Sequence, residues 1–239
     1  MQKKLFLCIL AITAILFLVF FRQTAKQNQS ALSANVYTPQ SSTVIIDAGH
    51  GGMDGGAVAG DGTLEKTLNL SIAQKLNDLL QCAGVRTVLT RKDDNSIHDA
   101  DAVSVRQQKV SDIHNRLQIM EQTENAVFVS IHQNHFSVSK YHGAQVFYSA
   151  NDPQSAILAE QIRQSLTAHL QPNNTRETKK SGTEIYLLYH AMRPAVMVEC
   201  GFLSNAEETQ KLKTEDYQTK LALSVADGIL NFFSSTEEV

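Results

Sequence analysis

The stretch TVIIDAGHGGMDGGA, residues 43–57, joins a short β-branched run to a glycine-rich loop. The run at 43–47 is typical of a buried strand, because valine and isoleucine pack well on a pleated surface. The loop extends to Gly62, and residues 64–82 then place apolar side chains at helical spacing. Gly84 marks the expected end of that helix. The folded part of the chain is therefore predicted to begin as strand, loop and helix.

The same alternation continues towards the carboxyl terminus. Strand-like runs lie at 85–90, 126–132, 143–149 and 195–201, and helical patterns lie at 104–121, 155–170 and 216–233. Alternating strands and helices predict an α/β fold, here a single three-layer domain with a twisted, mostly parallel sheet flanked by helices. The runs AVFVSI and AVMVE lack polar alternation, as expected of parallel strands buried on both faces.

The amino-terminal segment, residues 1–22, is predicted to be a transmembrane anchor or a signal segment. Lys3 and Lys4 precede an apolar run whose 17 residues span roughly 26 Å as a helix, against a hydrocarbon core of roughly 30 Å. A buried core helix is the third interpretation, and the run's apolar character on every face disfavours it. Residues 23–42 are typical of a flexible tether, which leaves 43–239 as one domain outside the cytoplasm.

Charge and cysteine content exclude two further classes of protein. The formal net charge is −3, and residues 1–34 hold four cations and no acids, so the remainder carries 17 basic and 24 acidic residues. An acidic domain lacks the basic footprint of a nucleic-acid binder. Outside the apolar run only Cys82 and Cys200 remain, which is too few for a disulfide framework. Buried free thiols are expected, with a Cys82–Cys200 bridge as the alternative.

Polar side chains at the ends of three strands indicate a metal site. His50 follows the first strand, His132 and Glu199 lie near the ends of two later ones, and Glu65 stands in the first turn of the first helix. Ligands bind beyond the carboxyl ends of strands in open α/β sheets. Two histidines and a carboxylate are a typical ligand set for catalytic zinc. Taken alone, the glycine-rich loop would suggest a phosphate site, and each of the four side chains would suggest a structural role. The convergence of the loop and these side chains at one edge of the sheet favours a metal hydrolase.

Five motifs make the chain resemble the zinc-dependent N-acetylmuramoyl-L-alanine amidases, the amidase-3 family. They read IIDAGHGGMDGGA, LEKTLNL, VLTRKDD, HNRLQIMEQTENAVFVSIHQNHF and RPAVMVECGFLSN, and the likeness covers residues 43–233. The resemblance implies one Zn²⁺ on His50, Glu65 and His132, and Glu199 as the catalytic carboxylate. It also implies cleavage of the amide between the lactyl group of muramic acid and L-alanine of the peptide stem. Residues 43–239 would then be the catalytic domain.

Four further residues in these motifs are given lesser roles. Asn134 and His135 are interpreted as residues that bind substrate or support a metal ligand through a hydrogen bond, although family members often have small residues after the SIHxN motif. Arg91 and Arg116 match family positions and are interpreted chiefly as structural ion-pair partners. Residues 136–153 are expected to form a short loop and a strand, so that no autoinhibitory helix covers the groove.

The short anchor, tether and catalytic domain resemble the sporulation amidases of the spore cortex. That resemblance implies a role in muramic δ-lactam formation and germination. It also implies that the protein acts on peptidoglycan, is attached to the membrane and has an exported accessory protein as a further partner. Location in the forespore intermembrane space would follow. Two alternatives remain: another exported zinc hydrolase, such as a carboxypeptidase or deacetylase, and a non-catalytic wall-binding module.

Overall fold

The computed structural model describes residues 42–236. The expected anchor at 1–22 and all but the last residue of the expected tether at 23–42 lie outside these residues. Within the described part of the chain, no helix is long and apolar enough to cross a membrane.

Six strands and six helices follow one another along the described chain. The strands are β1 (Thr43–Ala48), β2 (Arg86–Leu89), β3 (Ala126–Asn134), β4 (Gln145–Tyr148), β5 (Lys179–Lys180) and β6 (Ala195–Phe202). The helices are α1 (Glu65–Cys82), α2 (Val105–Gln122), α3 (Gln154–His169), α4 (Tyr186–His190), α5 (Ala206–Leu212) and α6 (Glu215–Thr236). Gly84 has a φ of 81° just after α1, a conformation that glycine adopts without strain and that ends the helix as expected.

The strands form one sheet in the order β2-β1-β3-β6-β4-β5. The first four of these strands are parallel to one another, and β4 is antiparallel to β6 and parallel to β5. The prediction of an α/β domain with a mostly parallel sheet is therefore confirmed. Parallel neighbours end at the same edge, so β1, β3 and β6 bring their carboxyl ends together.

Helices cover both faces of the sheet. On one face, Met120 of α2 and Leu188 of α4 join Ile45, Phe128 and Met197 in a buried cluster. On the other face α1 and α3 pack against the strands, and α6 packs against these two helices. Every residue of β1 is buried, as expected of a parallel strand that is covered on both faces.

Three short elements and one cysteine differ from the sequence-based expectation. The strand β5 and the helices α4 and α5 have two, five and seven residues, too few to give a periodic pattern. Cys82 and Cys200, the two cysteines within residues 42–236, are free, and Cys200 is buried as expected. The expectation of burial was wrong for Cys82, which is exposed because it lies on the outer side of the last turn of α1.

Candidate metal centre

The candidate site lies at the carboxyl edge of the sheet. His50 stands two residues after β1, and Glu65 is the first residue of α1. His132 in β3 and Glu199 in β6 are ladder partners on neighbouring parallel strands. Partners in register present their side chains to the same face, so the sheet itself places Glu199 beside His132.

Glu65 joins the two histidines. Its Oε1 lies 2.8 Å from Nδ1 of His132, and its Oε2 lies 3.2 Å from Nε2 of His50. The ring centroids of the two histidines are 4.9 Å apart. One ligand atom from each of the three side chains lies within 4.8 Å of the others. Two imidazole nitrogens and a carboxylate oxygen at this spacing fit the ligand set of a zinc ion.

Glu65 is held in place by three amide groups. It accepts hydrogen bonds from the backbone N–H of Ala57 at 2.8 Å and of Gln133 at 3.0 Å, and from the side-chain amide of Asn69 at 3.2 Å. Burial alone would raise the pKa of this carboxyl, but hydrogen bonds and charge from His132 and His50 lower it well below its usual range. The carboxylate therefore stays ionised, as a metal ligand must.

His50 is oriented by Asp54, a residue to which no motif in the sequence assigns a role. Nδ1 of His50 lies 2.8 Å from Oδ2 of Asp54, which turns Nε2 towards Glu65. Asp54 also forms an ion pair of 2.8 Å with Lys109. Burial lowers the pKa of His50, but hydrogen bonds to Asp54 and Glu65 outweigh it and raise the pKa to about 9. A carboxylate behind a ligating imidazole commonly fixes its tautomer and ring orientation.

Glu199 differs from Glu65 in having few partners. Its Oε2 is buried and has no hydrogen-bond partner among the described residues. Burial raises the pKa of Glu199 to about 7, with the negative charge of Glu65 adding to the rise and both histidines opposing it. A carboxyl group with a pKa near neutrality can both accept and return a proton at physiological pH.

Two buried arginines hold the backbone of the site. Arg116 donates to Oδ1 of Asp47 at 2.5 Å and to the carbonyl oxygens of Ala48 and His50 at 2.8 and 2.7 Å. Its Nε also donates to Asp112 at 2.7 Å. The interpretation of Arg116 as a structural ion-pair partner is consistent with these contacts.

The contacts of Arg91 differ from that interpretation. Among the described residues its guanidinium has no carboxylate in ion-pair contact and donates to four backbone carbonyl oxygens instead. The acceptors are Ala48 at 2.8 Å, Gly49 at 3.0 Å, Lys66 at 2.8 Å and Asp93 at 2.8 Å. Arg91 thus ties the residues beside two of the candidate ligands to the end of β2.

Comparison with known proteins agrees with this geometry. A family model for N-acetylmuramoyl-L-alanine amidases, Amidase_3, matches residues 44–231. The chain belongs to this amidase family. The match begins within β1 and ends within α6, so it includes every element of the candidate site.

Three proteins match this amidase over nearly the whole of their own length. The germination-specific N-acetylmuramoyl-L-alanine amidase of Bacillus subtilis is 33% identical over 98% of this chain and 97% of that protein. The CwlD amidase of Clostridioides difficile, solved in complex with the GerS lipoprotein, is 40% identical with a TM-score of 0.78, over 81% of this chain and 98% of that chain. AmiC2 of Nostoc punctiforme is 30% identical with a TM-score of 0.68, over 81% and 98%.

Two residues expected near the site lie at its margin in the amidase. Asn134 ends β3 at an irregularity opposite Phe202, and its carbonyl oxygen accepts the N–H of Leu203 at 2.8 Å. His135 begins the exposed loop that follows. Within the described part of the chain, neither side chain joins the hydrogen bonds that hold Glu65 and the two histidines. Their expected roles towards substrate therefore stay predictions.

The glycine-rich loop of the amidase leaves room for the ligand side chains. A Cβ atom at Gly49 would lie 2.2 Å from Nε2 of His132. A Cβ atom at Gly56, where φ is +68°, would lie 2.6 Å from both Oε2 of Glu65 and Cδ2 of His50. Contacts this short are not found in proteins, so these two glycines are required by the close approach of the three side chains.

Residues 136–153 of the amidase were expected to form no helix over the site. This stretch forms a loop, β4 and a second short loop, and contains no helix. The expectation of a loop and a strand in place of a covering helix is met in the structure.

Proposed function

We propose that this amidase hydrolyses the amide bond between the lactyl group of muramic acid and L-alanine of the peptide stem, with one zinc ion held by His50, Glu65 and His132. The convergence of these three ligand atoms at the edge of the sheet is the observation that supports it. Zinc in such a site polarises a carbonyl group and activates water for attack.

Glu199 is proposed to be the catalytic carboxylate. Its position beside His132 and its free, buried Oε2 suit a base that removes a proton from the attacking water. The water oxygen then bonds to the carbonyl carbon, the carbon–nitrogen bond breaks, and Glu199 returns the proton to the departing nitrogen of L-alanine. General acid–base catalysis of this kind contributes about 10²–10⁴-fold to rate.

The test compares Glu199→Gln with His132→Ala on purified peptidoglycan. Glu199→Gln should bind zinc as the parent does and release no stems, whereas His132→Ala should lose the metal. New amino-terminal L-alanine is the expected product. Free acetate would instead identify a deacetylase, free D-alanine a carboxypeptidase, and full activity of Glu199→Gln would remove that residue from the mechanism.

We further propose that the substrate is the peptidoglycan of the spore cortex, where stem removal precedes formation of muramic δ-lactam and germination. The likeness to the germination-specific relative over nearly the whole of both chains supports this. Spores lacking the protein should contain cortex without δ-lactam and should fail to complete germination. Normal δ-lactam content in such spores would contradict the cortex role.

The amidase is also proposed to act outside the cytoplasm, held to the membrane or released after cleavage of residues 1–22, and to use an exported accessory protein. Support comes from the apolar run in the sequence and from the CwlD relative, which was solved with a lipoprotein. Fractionation of the full chain, followed by sequencing of its amino terminus, separates an anchor from a cleaved signal. Copurification from sporulating cells tests the accessory protein.

A further inference from the structure

Three aromatic side chains beside the candidate site form a cluster, which we call the aromatic rim. It consists of Phe136, Tyr141 and Phe202. The ring centroids of Phe136 and Tyr141 are 5.3 Å apart, and those of Tyr141 and Phe202 are 6.2 Å apart. Phe136 is 51% exposed and Tyr141 37%, whereas Phe202 is buried beneath them. Large aromatic groups exposed together usually mark a contact surface.

The rim is attached to the strands that carry the site. Phe202 ends β6, three residues after Glu199, and is the ladder partner of Asn134 at the end of β3. The loop between β3 and β4 is fastened by the N–H of Phe136 to Oγ of Ser204 at 3.2 Å. The side-chain amide of Asn205 adds a hydrogen bond of 2.9 Å to the carbonyl oxygen of Ser139. These contacts keep the rim in a fixed position relative to the strand ends.

Two cations lie over the rim. Nζ of Lys140 is 5.6 Å from the ring centroid of Tyr141, and Cζ of Arg176 is 5.9 Å from Tyr141 and 4.7 Å from Phe202. Nε of Arg176 donates to the carbonyl oxygen of His142 at 3.0 Å, which fixes the guanidinium above the rings. Counting only residues 42–236, no carboxylate forms an ion pair with Lys140 or Arg176. In a domain with more acidic than basic residues, two such cations are well placed to meet an anion.

The spacing between the site and the rim suits an extended peptide. Glu199 and Phe202 pair with His132 and Asn134, which are two residues apart on β3, so a bulge in β6 brings Phe202 to about 7 Å from Glu199 along the strand direction. An extended peptide covers about 3.3–3.6 Å per residue, so the third residue of a stem reaches the rim when the first lies at the site. A stem residue with a free carboxylate at this position would meet Lys140 and Arg176.

We propose that the aromatic rim, with Lys140 and Arg176, is the subsite that binds the acidic peptide stem. The carboxylates of the stem meet the two cations, and its apolar groups pack on the exposed faces of Phe136 and Tyr141. This proposal rests on the proposed function, because it takes the stem as part of the substrate. It makes the subsite a determinant of substrate affinity and leaves the chemical step to the metal centre and Glu199.

The test replaces both cations, as Lys140→Gln with Arg176→Gln, and uses two substrates. One is a disaccharide–peptide fragment with free stem carboxylates, and the other is the same fragment with those carboxylates amidated. Exposed charge pairs contribute modestly, so removal of both cations should raise KM for the free acid about twofold to thirtyfold. The kcat should stay unchanged, and the amidated fragment should give the same KM with both proteins.

The matched control is Arg163→Gln, which removes one arginine from the surface of α3, where it pairs with Glu160. It should alter neither KM, and thermal unfolding of all variants checks that the fold is kept. Equal changes for the two substrates, or none, would overturn the subsite.

A second measurement separates this proposal from the proposed function. If no form of the protein releases stems, the proposed reaction is contradicted, and binding of a free acidic stem peptide to Glu199→Gln then decides the subsite. Titration calorimetry should show that the two cation substitutions weaken binding of this peptide by the same factor as that expected for KM. Equal affinities would show that the rim does not bind the stem.

Discussion

At the scale of single residues, Gly49 is the tightest point of the site, because no side chain fits between its backbone and the ring of His132. Gly49→Ala should displace that imidazole and reduce zinc content at equal protein concentration. Gly60 offers a matched control in the same loop, since a Cβ atom there would meet nothing within 4 Å. Metal analysis after gel filtration should therefore show a loss for Gly49→Ala and none for Gly60→Ala; equal zinc in both would contradict the packing argument.

His50 should make zinc binding depend on pH. Its pKa is raised from 6.5 to about 9 in the folded, metal-free protein, because hydrogen bonds to Asp54 and Glu65 outweigh burial. The bound proton stabilises that form fully below pH 6.5, and the benefit is lost as the pH rises through about 9. Zinc must displace this proton, so its affinity should increase across that window.

Calorimetric zinc titrations at several pH values, in buffers with different heats of ionisation, measure both the affinity and the protons released. Asp54→Asn removes the carboxylate that raises the pKa of His50. The rise in affinity should then begin at lower pH, and an unchanged pH profile would exclude this role for Asp54.

The sequence predicted part of this site and missed the rest for physical reasons. The pattern of apolar residues predicts where strands end and where the first helix begins. It could therefore identify the four residues at those positions, His50, Glu65, His132 and Glu199. Asp54 could not be identified from the sequence, because its contact with His50 depends on the conformation of a loop in which His50 has a φ of 64°. A spacing of four residues in a glycine-rich loop carries no such signal.

At the scale of elements, Arg91 joins the end of β2 to the loop after β1 and to the first turn of α1. Arg91→Lys keeps the charge but cannot make four hydrogen bonds in a planar fork. Loss of groups that orient ligands typically lowers metal affinity about 10–100-fold, and we expect a fall of that size here. Competition with a fluorescent zinc chelator measures it. Arg163→Lys on α3 is the control and should bind zinc as the parent does.

The long secondary-structure elements were predicted from the sequence more accurately than the short ones. The helices α1, α3 and α6 show apolar spacing over four or more turns, whereas α2 corresponds to a polar helical stretch, and the bounds of all four agree closely with the expectation. The helix α5 has another kind of signal, because the side chain of Asn205 caps it by accepting the N–H of Glu208 at 3.0 Å. The strand β5 has none, since its two residues pair with β4 only in the folded chain.

At the scale of the whole molecule, Asp47 connects three strands and a helix. Its carboxylate accepts from Thr90 beyond β2 at 2.8 Å, from Ser130 in β3 at 2.6 Å and from Arg116 in α2 at 2.5 Å. Burial raises the pKa of Asp47, but the charge of Arg116 and these hydrogen bonds lower it below 3.8. Asp47 therefore stabilises the fold above pH 3.8, and this stabilisation is lost as the pH falls through the lower folded value.

Asp47→Asn should cost about 3 kcal/mol of the free energy of unfolding, because it leaves Arg116 buried with one fewer anionic partner. Urea unfolding at pH 7 measures the loss, which should shrink in acid as the parent protein also loses the charge. Glu160→Gln, which breaks a surface pair with Arg163, should cost less than about 1 kcal/mol. Equal losses of unfolding free energy from the two substitutions would show that burial of the Asp47–Arg116 pair adds nothing to stability.

The two-residue strand β5 has a consequence for the behaviour of the protein in solution. It ends the sheet with two exposed lysines, so this border offers an incoming chain few backbone groups and a repulsive charge. At the opposite border β2 has only four residues and begins with an exposed arginine. Both margins thus discourage the strand-to-strand stacking that leads to aggregates, which favours solubility at high local concentration.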